Sequence, residues 1–263
     1  GTFIDCTGKN PEKNKSILVE NGIITKIIDG AEDFCGYKTY DLAEYTVLPG
    51  MINCHVHIDM EPVGDIDSYY ANTDITEKIL NCEKNMCKYL ESGVTYIRSL
   101  GSQNYIDIKF RDMRKKGLVK GPDILAAGYC ITMTGGHGYI IGLESDGEAQ
   151  CRRAARTVIK NGADVVKIMA TGGVMTRGVE PGSSQLTYEE MKASIDEAHK
   201  AGKKTAAHAQ GSEGIRNAIL AGIDSIEHGM ILTDECIELM VEKGTYLVPT
   251  LVALYYINEY GVQ

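Results

Sequence analysis

From Val47 onward the chain repeats one local pattern, in which a helical stretch ends at a glycine and a short apolar strand follows. The clearest joints are at Gly93, Gly162, Gly202 and Gly222. Glycine suits this position because it enters the left-handed conformation after a helix without steric penalty. Helices and short buried strands that alternate in this way predict a parallel α/β sheet.

The number of repeats helps to distinguish between the two common architectures with a parallel sheet, the barrel and the doubly wound sheet. Seven candidate strands are centred near Ile52, Tyr96, Ile124, Val166, Ala206, Ser225 and Leu247. None of them is followed by a GxGxxG turn, so we expect a TIM-type (β/α)8 barrel rather than a doubly wound sheet. Two capping boxes, Ser145 with Glu148 and Thr187 with Glu190, predict helix starts.

The N-terminal residues follow a different pattern. Asn21-Gly22 separates two apolar runs, residues 16–20 and 23–28. Asn-Gly favours the two-residue turn of a β-hairpin because both positions adopt positive φ angles easily. We therefore predict that residues 1–46 form part of a small β-sandwich-like domain and that residues 47–263 form the barrel domain.

Charge and cysteine usage limit the partners and the compartment. The 27 basic and 36 acidic side chains give a net charge of −9, which argues against a nucleic-acid partner. No apolar run approaches the roughly 20 residues of a membrane span, and no leader pattern is visible, so we expect a cytoplasmic protein with no membrane partner. The eight cysteines form no CxxC pair, which suits reduced thiols that mostly pack in the core. A homo-oligomer is compatible with the sequence.

Histidines stand at the ends of several candidate strands. His55 and His57 are two residues apart, so in a strand both imidazoles lie on one face. Such a pair can bind one divalent metal, although by itself it would fit a hydrogen-bonded core equally well. His208 and His228 end two later strands that are separated by about one strand-helix repeat. Four histidines at equivalent strand ends favour a metal site.

Lys167 lies inside the apolar run 165–170. Lysine is rarely buried without a partner, so three interpretations are open. The side chain could reach the rim or pair with a carboxylate, it could be a Schiff-base lysine, or it could be carbamylated by carbon dioxide. The nearby histidines favour the carbamate, since a bridging carboxylate stabilises two cations that an ammonium would repel.

These motifs together resemble the amidohydrolase superfamily. The segments Pro-Gly-Met-Ile-Asn-Cys-His-Val-His, Val-Val-Lys-Ile-Met-Ala-Thr-Gly-Gly, Ala-Ala-His-Ala and Ser-Ile-Glu-His-Gly carry the likeness, which extends from Val47 to Leu251. Within the superfamily the sequence is most similar to the imidazolonepropionase-related branch, which includes metal-dependent Xaa-Pro dipeptidases and arginine or lysine carboxypeptidases.

The resemblance implies a site with two divalent metal ions, usually zinc. His55 and His57 would hold one ion, His208 and His228 the other, and carbamylated Lys167 would bridge them together with a hydroxide. In the family an aspartate after the eighth strand binds the first ion and passes the proton to the leaving amine. The sequence ends at Gln263 without such an aspartate. We therefore expect the general base beyond Gln263 and a barrel truncated before strand 8.

Three further residues are candidates for substrate contacts. His137 lies in the loop Thr-Gly-Gly-His-Gly after the third strand and could bind the substrate carbonyl or carboxylate. Arg177 follows Lys167 and could pair with a peptide carboxylate, while Gln210 shares the strand face of His208. The alternative for His137 is a loop histidine on the surface, Arg177 could equally be an exposed residue with no partner, and Gln210 is a candidate only if the strand continues that far. Acidic residues after His57 would favour a basic substrate side chain if they line the mouth.

The predicted function is therefore a metal-dependent amidohydrolase that cleaves a small peptide or amide substrate, as a dipeptidase or carboxypeptidase acting on Xaa-Pro or Xaa-Arg/Lys. A cyclic amidohydrolase such as imidazolonepropionase is the alternative within the same chemistry. A Schiff-base lysine aldolase and a non-catalytic barrel scaffold are the alternatives of other classes.

Overall fold

The structure is a computed structural model that describes residues 1–30, 35–61, 63 and 65–260. The chain divides into two compact units, Gly1–Met51 and Ile52–Gln263. This division falls five residues after the boundary between positions 46 and 47 that the sequence pattern suggests.

Within its described residues, the first unit contains five short strands: β1 (Thr2–Phe3), β2 (Glu12–Lys13), β3 (Lys15–Glu20), β4 (Ile23–Asp29) and β5 (Thr46–Val47). Strand β1 pairs with β2 antiparallel and with β5 in parallel, while β3 and β4 form the predicted hairpin. Asn21 and Gly22 have φ angles of 52° and 78°, as the tight turn requires. The β-sandwich stays a prediction.

The second unit alternates strands and helices along the described residues. Its elements are β6 (Met51–Val56), α1 (Ile66–Asn72), α2 (Ile75–Glu91), β7 (Val94–Ser99), α3 (Ile106–Lys115), β8 (Asp123–Ala126), β9 (Cys130–Thr132), β10 (Gly142–Glu144), α4 (Gly147–Lys160), β11 (Val165–Met169), α5 (Tyr188–Lys200), β12 (Lys204–Ala209), α6 (Ser212–Ala221), β13 (Ser225–His228), α7 (Asp234–Lys243), β14 (Tyr246–Val248) and α8 (Leu251–Tyr260). Strand β6 begins one residue before the unit boundary.

The strands of the second unit form two sheets. The larger has the order β10-β9-β11-β12-β13-β14 with parallel pairing throughout, and the smaller has the order β6-β7-β8. The predicted α/β fold with a parallel sheet is confirmed, and all seven predicted strands are present as β6, β7, β8, β11, β12, β13 and β14. Closure of the two sheets into a barrel stays a prediction.

Strands β9 and β10 were not predicted. They pair with each other in parallel, and β9 joins the larger sheet through Ile131, which pairs with Ile168. Each has only three residues, so neither is long enough to show an alternating pattern. The loop between them carries His137.

The helix ends match most of the sequence signals. All four glycines at the helix-strand joints have positive φ angles, between 66° and 96°. Thr187 and Glu190 form a complete capping box at the start of α5. The box predicted at Ser145 is wrong, because Ser145 follows β10 with its amide bonded to Thr132 and α4 starts after Asp146.

The core of the second unit lies between the sheets and their covering helices. Ile131, Val166, Ile168 and Ile226 of the strands are fully buried, as are Met86 of α2 and Met191 of α5. All eight cysteines are free thiols, and four of them are buried, so the expectation that most pack in the core holds for half. Within the described residues, no helix combines the length and apolarity needed to cross a lipid bilayer.

The capping box gives a direct test of the fold. Thr187→Ala removes the hydroxyl that accepts the amide hydrogen of Glu190, so we expect the free energy of unfolding to fall by about 1 kcal/mol in urea denaturation. Thr187→Ser keeps the hydroxyl and serves as the control. Equal stability of the two variants would contradict the assignment.

Candidate metal centre

The strand-end histidines meet in one cavity of the second unit. His55 lies in β6, Lys167 in β11, His208 in β12 and His228 at the end of β13, while His57 follows β6 directly. Parallel register aligns the ends, because Met169 pairs with His208 and Ala209 with His228. The cavity has a volume of about 840 Å³. Its polar lining consists mainly of Asn53, His55, His57, His137, Lys167, Thr176, His208, Gln210, His228 and Thr250.

The imidazole rings form a continuous chain. The ring centroids of His55 lie 5.3 Å from His57 and 4.8 Å from His228. His208 lies 4.6 Å from His228 and 4.2 Å from His137. The structure therefore brings together all four histidines predicted as ligands, with His137 as a fifth member.

The outer nitrogen of each ring is held by the protein. His55 Nδ1 donates to Glu227 Oε2 at 2.9 Å, and His57 Nδ1 donates to the carbonyl of Gly101 at 2.9 Å. His208 uses the other nitrogen, since its Nε2 lies 3.2 Å from the carbonyl of Gly172. Because an acceptor fixes the proton on one nitrogen, the other nitrogen of each neutral ring keeps its lone pair.

His228 is held differently. Its Nδ1 lies 2.7 Å from the hydroxyl of Thr250, just after β14. The backbone of His228 has a φ of 74° and that of Thr250 a φ of 45°, a left-handed region that non-glycine residues seldom occupy. Both residues therefore have a strained backbone, and they contact each other at the cavity. The surrounding structure must hold them in this conformation, and it thereby sets the directions of their side chains.

Burial keeps the imidazoles neutral. Desolvation lowers the pKa of His57 and of His137 to about 4 and that of His228 to about 2, and the positive charge of Lys167 adds to each effect. Desolvation also holds the pKa values of His55 and His208 well below the ordinary value. Neutral imidazole is the form that binds metal ions.

Lys167 is almost fully buried, with 1% of its surface exposed. Burial lowers its pKa to about 8, although the carboxylate of Glu227 acts in the opposite direction. Among the described residues its amine makes no hydrogen bond and no salt bridge. The cavity therefore contains a lysine whose charge is not neutralised by a contact.

Arg98 and Glu227 also belong to the site, and neither was predicted from the sequence. Glu227 is completely buried and binds His55 on one oxygen and Arg98 on the other, with Arg98 Nη2 at 2.7 Å. Glu227 stands beside His228 in the sequence but faces His55, which lies on another strand. A buried charged residue in an apolar strand was the available signal, as it was for Lys167.

His137 is positioned by its loop and by Thr176. Its Nδ1 lies 2.9 Å from the hydroxyl of Thr176, which also accepts the amide hydrogen of Gly138 at 3.1 Å. Its own amide donates to the side chain of Gln185. A Cβ atom on Gly173 would lie 2.5 Å from His137 Nε2, so the backbone at Gly173 closely abuts this ring. The histidine is thus fixed in the cavity wall.

The other two predicted substrate residues have different positions. Gln210 is 4% exposed, follows β12 directly and lines the cavity, with its amide hydrogen donated to Thr171. Arg177 has 82% of its side chain exposed and lies 4.0 Å from Asp65. It does not belong to the cavity lining. The structure therefore brings Gln210, but not Arg177, to the histidines.

The walls of the cavity are largely apolar. Glu61 and Asp67 also line it, but Glu61 accepts a hydrogen bond from Asn85 and Asp67 one from Tyr139. Part of their acceptor capacity is therefore already used. The apolar lining includes Met60, Ile66, Tyr70, Tyr89, Ile140, Ile141, Met169, Val174, Met175 and Met230.

The donor set fits two divalent ions. Neutral imidazoles with oriented lone pairs are ligands for zinc and related metals. Within the described part of the chain, no three His, Cys, Asp or Glu side chains are arranged to hold a metal ion by themselves.

A model of the amidohydrolase family matches residues 46–262, and the chain belongs to this family. Membership implies a TIM-type barrel, in agreement with the α/β fold and the parallel sheet. An ochratoxinase of Aspergillus niger is 29% identical over 283 residues, covering 95% of this chain and 57% of that protein. The chain thus spans little more than half the length of this curated relative.

Solved structures give the same assignment. An Xaa-Pro dipeptidase with bound methionine is 32% identical, with a TM-score of 0.90 over 98% of this chain and 67% of that chain. A prolidase in complex with N-methylphosphonate-L-proline is 28% identical, with a TM-score of 0.92 over 99% of this chain and 67% of the other.

Burial of the imidazoles predicts an acid-sensitive fold. The pKa values of His57 and His137, about 4, lie below the ordinary 6.5, so the unfolded chain binds more protons in this range. In metal-free protein the free energy of unfolding should therefore fall as the pH drops from 6.5 toward 4. Asp59 and Asp107, whose burial raises their pKa values to about 7 and about 6, oppose this trend. They are two groups against the five cavity histidines with lowered pKa values.

Urea denaturation in the presence of a chelator, at a series of pH values, measures this dependence. The variant His137→Gln should show a shallower slope, because one depressed group is removed. Stability that stays constant or rises on acidification would contradict the account of the buried rings.

Proposed function

We propose that the protein is a metal-dependent amidohydrolase that cleaves a peptide-type amide bond. One observation carries the proposal. Four imidazoles, each with a lowered pKa and one ring nitrogen held by the protein, share a cavity with a buried lysine that, among the described residues, makes no contact to an anion. His55 and His57 would hold one ion, and His208 and His228 the other. Zinc is the expected metal.

Lys167 would serve as the bridging ligand after carbamylation. Its neutral amine attacks the carbon of carbon dioxide and loses one proton, which leaves a carbamate with two oxygen atoms. The lowered pKa of Lys167, about 8, increases the fraction of amine that can react near neutral pH. The product replaces an isolated buried ammonium with an anion that two cations stabilise.

When bound, the two ions would lower the pKa of a shared water and polarise the scissile carbonyl, so that hydrolysis proceeds near neutral pH. The protein's own contribution is to hold the ligands in place and to keep the cavity walls dry. Fixed outer nitrogens mean that little reorganisation is needed when the ligands bind.

His137 is proposed to bind the carbonyl oxygen of the substrate. The Thr176 hydroxyl already accepts from Gly138, so its own hydrogen is available to His137 Nδ1. In that arrangement neutral His137 carries its proton on Nε2, which makes this atom a donor. The low pKa of His137, about 4, keeps the ring neutral at working pH.

Gln210 and Arg177 are proposed as further substrate contacts. The position of Gln210 in the cavity lining supports it better than Arg177, which lies outside the lining. Gln210 is buried, follows His208 by two residues and lines the cavity, where its side-chain amide could bind a peptide group. Arg177 is exposed and near Asp65, so it would have to move to reach a substrate carboxylate. The aspartate expected after an eighth strand stays a prediction.

The cavity favours a substrate with an apolar side chain. Its walls consist largely of methionine, isoleucine and tyrosine side chains, and each of the two acids that line it already accepts one hydrogen bond, Glu61 from Asn85 and Asp67 from Tyr139. An arginine or lysine side chain would lose more hydration there than it regains. The names of the solved relatives, an Xaa-Pro dipeptidase and a prolidase, support Xaa-Pro substrates in particular.

Metal content tests the proposed ligands. We expect purified protein reconstituted with zinc and bicarbonate to hold about two equivalents per chain by elemental analysis. His208→Asn should reduce this to about one. His199→Asn is the matched control, because His199 lies on the surface of α5 and pairs with Asp224, and it should leave the content unchanged. Full zinc content in His208→Asn would reject the ligand assignment.

Substrate preference tests the proposed reaction. Full-length, metal-loaded protein should hydrolyse Xaa-Pro dipeptides with apolar Xaa at a kcat/KM at least about tenfold above that for Xaa-Arg and Xaa-Lys, because burying an unpaired charge is costly. Imidazolonepropionate serves as the cyclic comparison. Preference for the basic dipeptides or for the cyclic amide would overturn this substrate assignment.

A further inference from the structure

We propose that Glu227 is a positioning residue that sets the tautomer of His55, and that Arg98 holds Glu227 in place for this task. The inference rests on the proposed metal centre for its functional meaning. Its geometric content, which nitrogen of His55 carries the proton, can be measured without any metal.

Glu227 has both carboxylate oxygens engaged. Oε2 accepts from His55 Nδ1 at 2.9 Å, while Oε1 accepts from Arg98 Nη2 and from the Ser225 hydroxyl, each at 2.7 Å. Its side chain has no exposed surface. A carboxylate can only accept, so it requires a proton on His55 Nδ1 and leaves the lone pair on Nε2.

Arg98 connects the two sheets of the second unit. It lies on β7, in the smaller sheet, and Glu227 lies on β13, in the larger one. Its Nε donates to the carbonyl of Cys54 on β6 at 2.7 Å, and its Nη1 donates to Ser225 at 3.1 Å. The guanidinium therefore ties the strand of His55 to the strand of His228 through Glu227.

The network orients a ligand rather than only joining strands. Arg98 and Ser225 bind one oxygen of Glu227, which fixes the rotation of the carboxylate and aims the other oxygen at His55. A simple ion pair between sheets would need neither the hydroxyl nor the imidazole. Outer contacts of this kind raise ligand basicity and fix ring direction.

Glu227→Gln tests whether Glu227 orients His55 or only joins the two sheets, because the substitution keeps the shape of the side chain but replaces one acceptor with a donor. If the amide oxygen stays on Arg98, the NH₂ group faces His55 and can only donate to Nδ1. The proton of His55 then moves to Nε2, the nitrogen needed for metal binding. The substitution should thus impose the wrong tautomer while the ring stays in place.

Two measurements test this. In metal-free protein, long-range ¹H–¹⁵N NMR spectra should show His55 protonated on Nδ1 in the wild type and on Nε2 in Glu227→Gln. In competition with a chelator, the zinc affinity of Glu227→Gln should be about 10- to 100-fold weaker than that of the wild type. Arg98→Lys keeps the positive charge but loses the several donors of the planar guanidinium. The zinc affinity of this variant should therefore lie between those of the wild type and Glu227→Gln.

Asp164→Asn is the matched control. Asp164 is the acid of another part-buried ion pair, with Arg111 Nη1 at 2.5 Å, and it does not line the cavity. It should leave zinc affinity and the His55 tautomer unchanged. Should Glu227→Gln not fold, Glu227→Asp is the second variant. Its shorter side chain moves the acceptor away from His55, so the Nδ1-protonated tautomer should lose its dominance and the zinc affinity should fall below that of the wild type.

An unchanged tautomer in Glu227→Gln, or a zinc affinity equal to that of Asp164→Asn, would overturn the inference. A wild-type protein that binds no zinc would instead refute the proposed metal centre. In that case the tautomer measurement would still decide the role of Glu227.

Discussion

The rest of the site depends on one constraint: the imidazole rings and the amine of Lys167 are buried away from water. Burial disfavours every positive charge there, so the histidines are neutral and the pKa of Lys167 falls to about 8. Neutral rings can bind a cation, and a neutral amine can react with carbon dioxide. The same burial leaves each ring with one nitrogen that must be satisfied by the protein, which explains the contacts to Glu227 and the carbonyls of Gly101 and Gly172.

The parallel sheet makes this concentration of rings attainable. Parallel strands present their carboxyl ends at one edge, so side chains of β6, β11, β12 and β13 reach the same cavity without long loops. The loops add what strands cannot supply. Thr176 fixes His137 from the loop after β11, and Thr250 contacts His228 from the turn after β14. Rigid strands thus place the proposed ligands, while loops set ring direction and shape the apolar walls.

Much of the fold and of the candidate site follows from sequence pattern, and the misses have physical causes. Strand-end histidines and a lysine in an apolar run are local signals, so His208 and Lys167 could be found by inspection. The contact between Arg98 and Glu227 joins residues 129 positions apart, and no local pattern encodes it. The capping box at Ser145 failed because a strand contact with Thr132 uses its amide. Arg177 lies in a loop, where strand periodicity does not set side-chain direction, so its position outside the cavity lining was not predictable from the sequence.

Anomalous diffraction from a crystal grown with zinc and bicarbonate tests the central claim most directly. We expect two zinc peaks in the cavity, one beside His55 and His57 and one beside His208 and His228, with carbamate density on the amine of Lys167 between them. A single peak, peaks outside this cavity, or an unmodified Lys167 amine between two bound ions would contradict it.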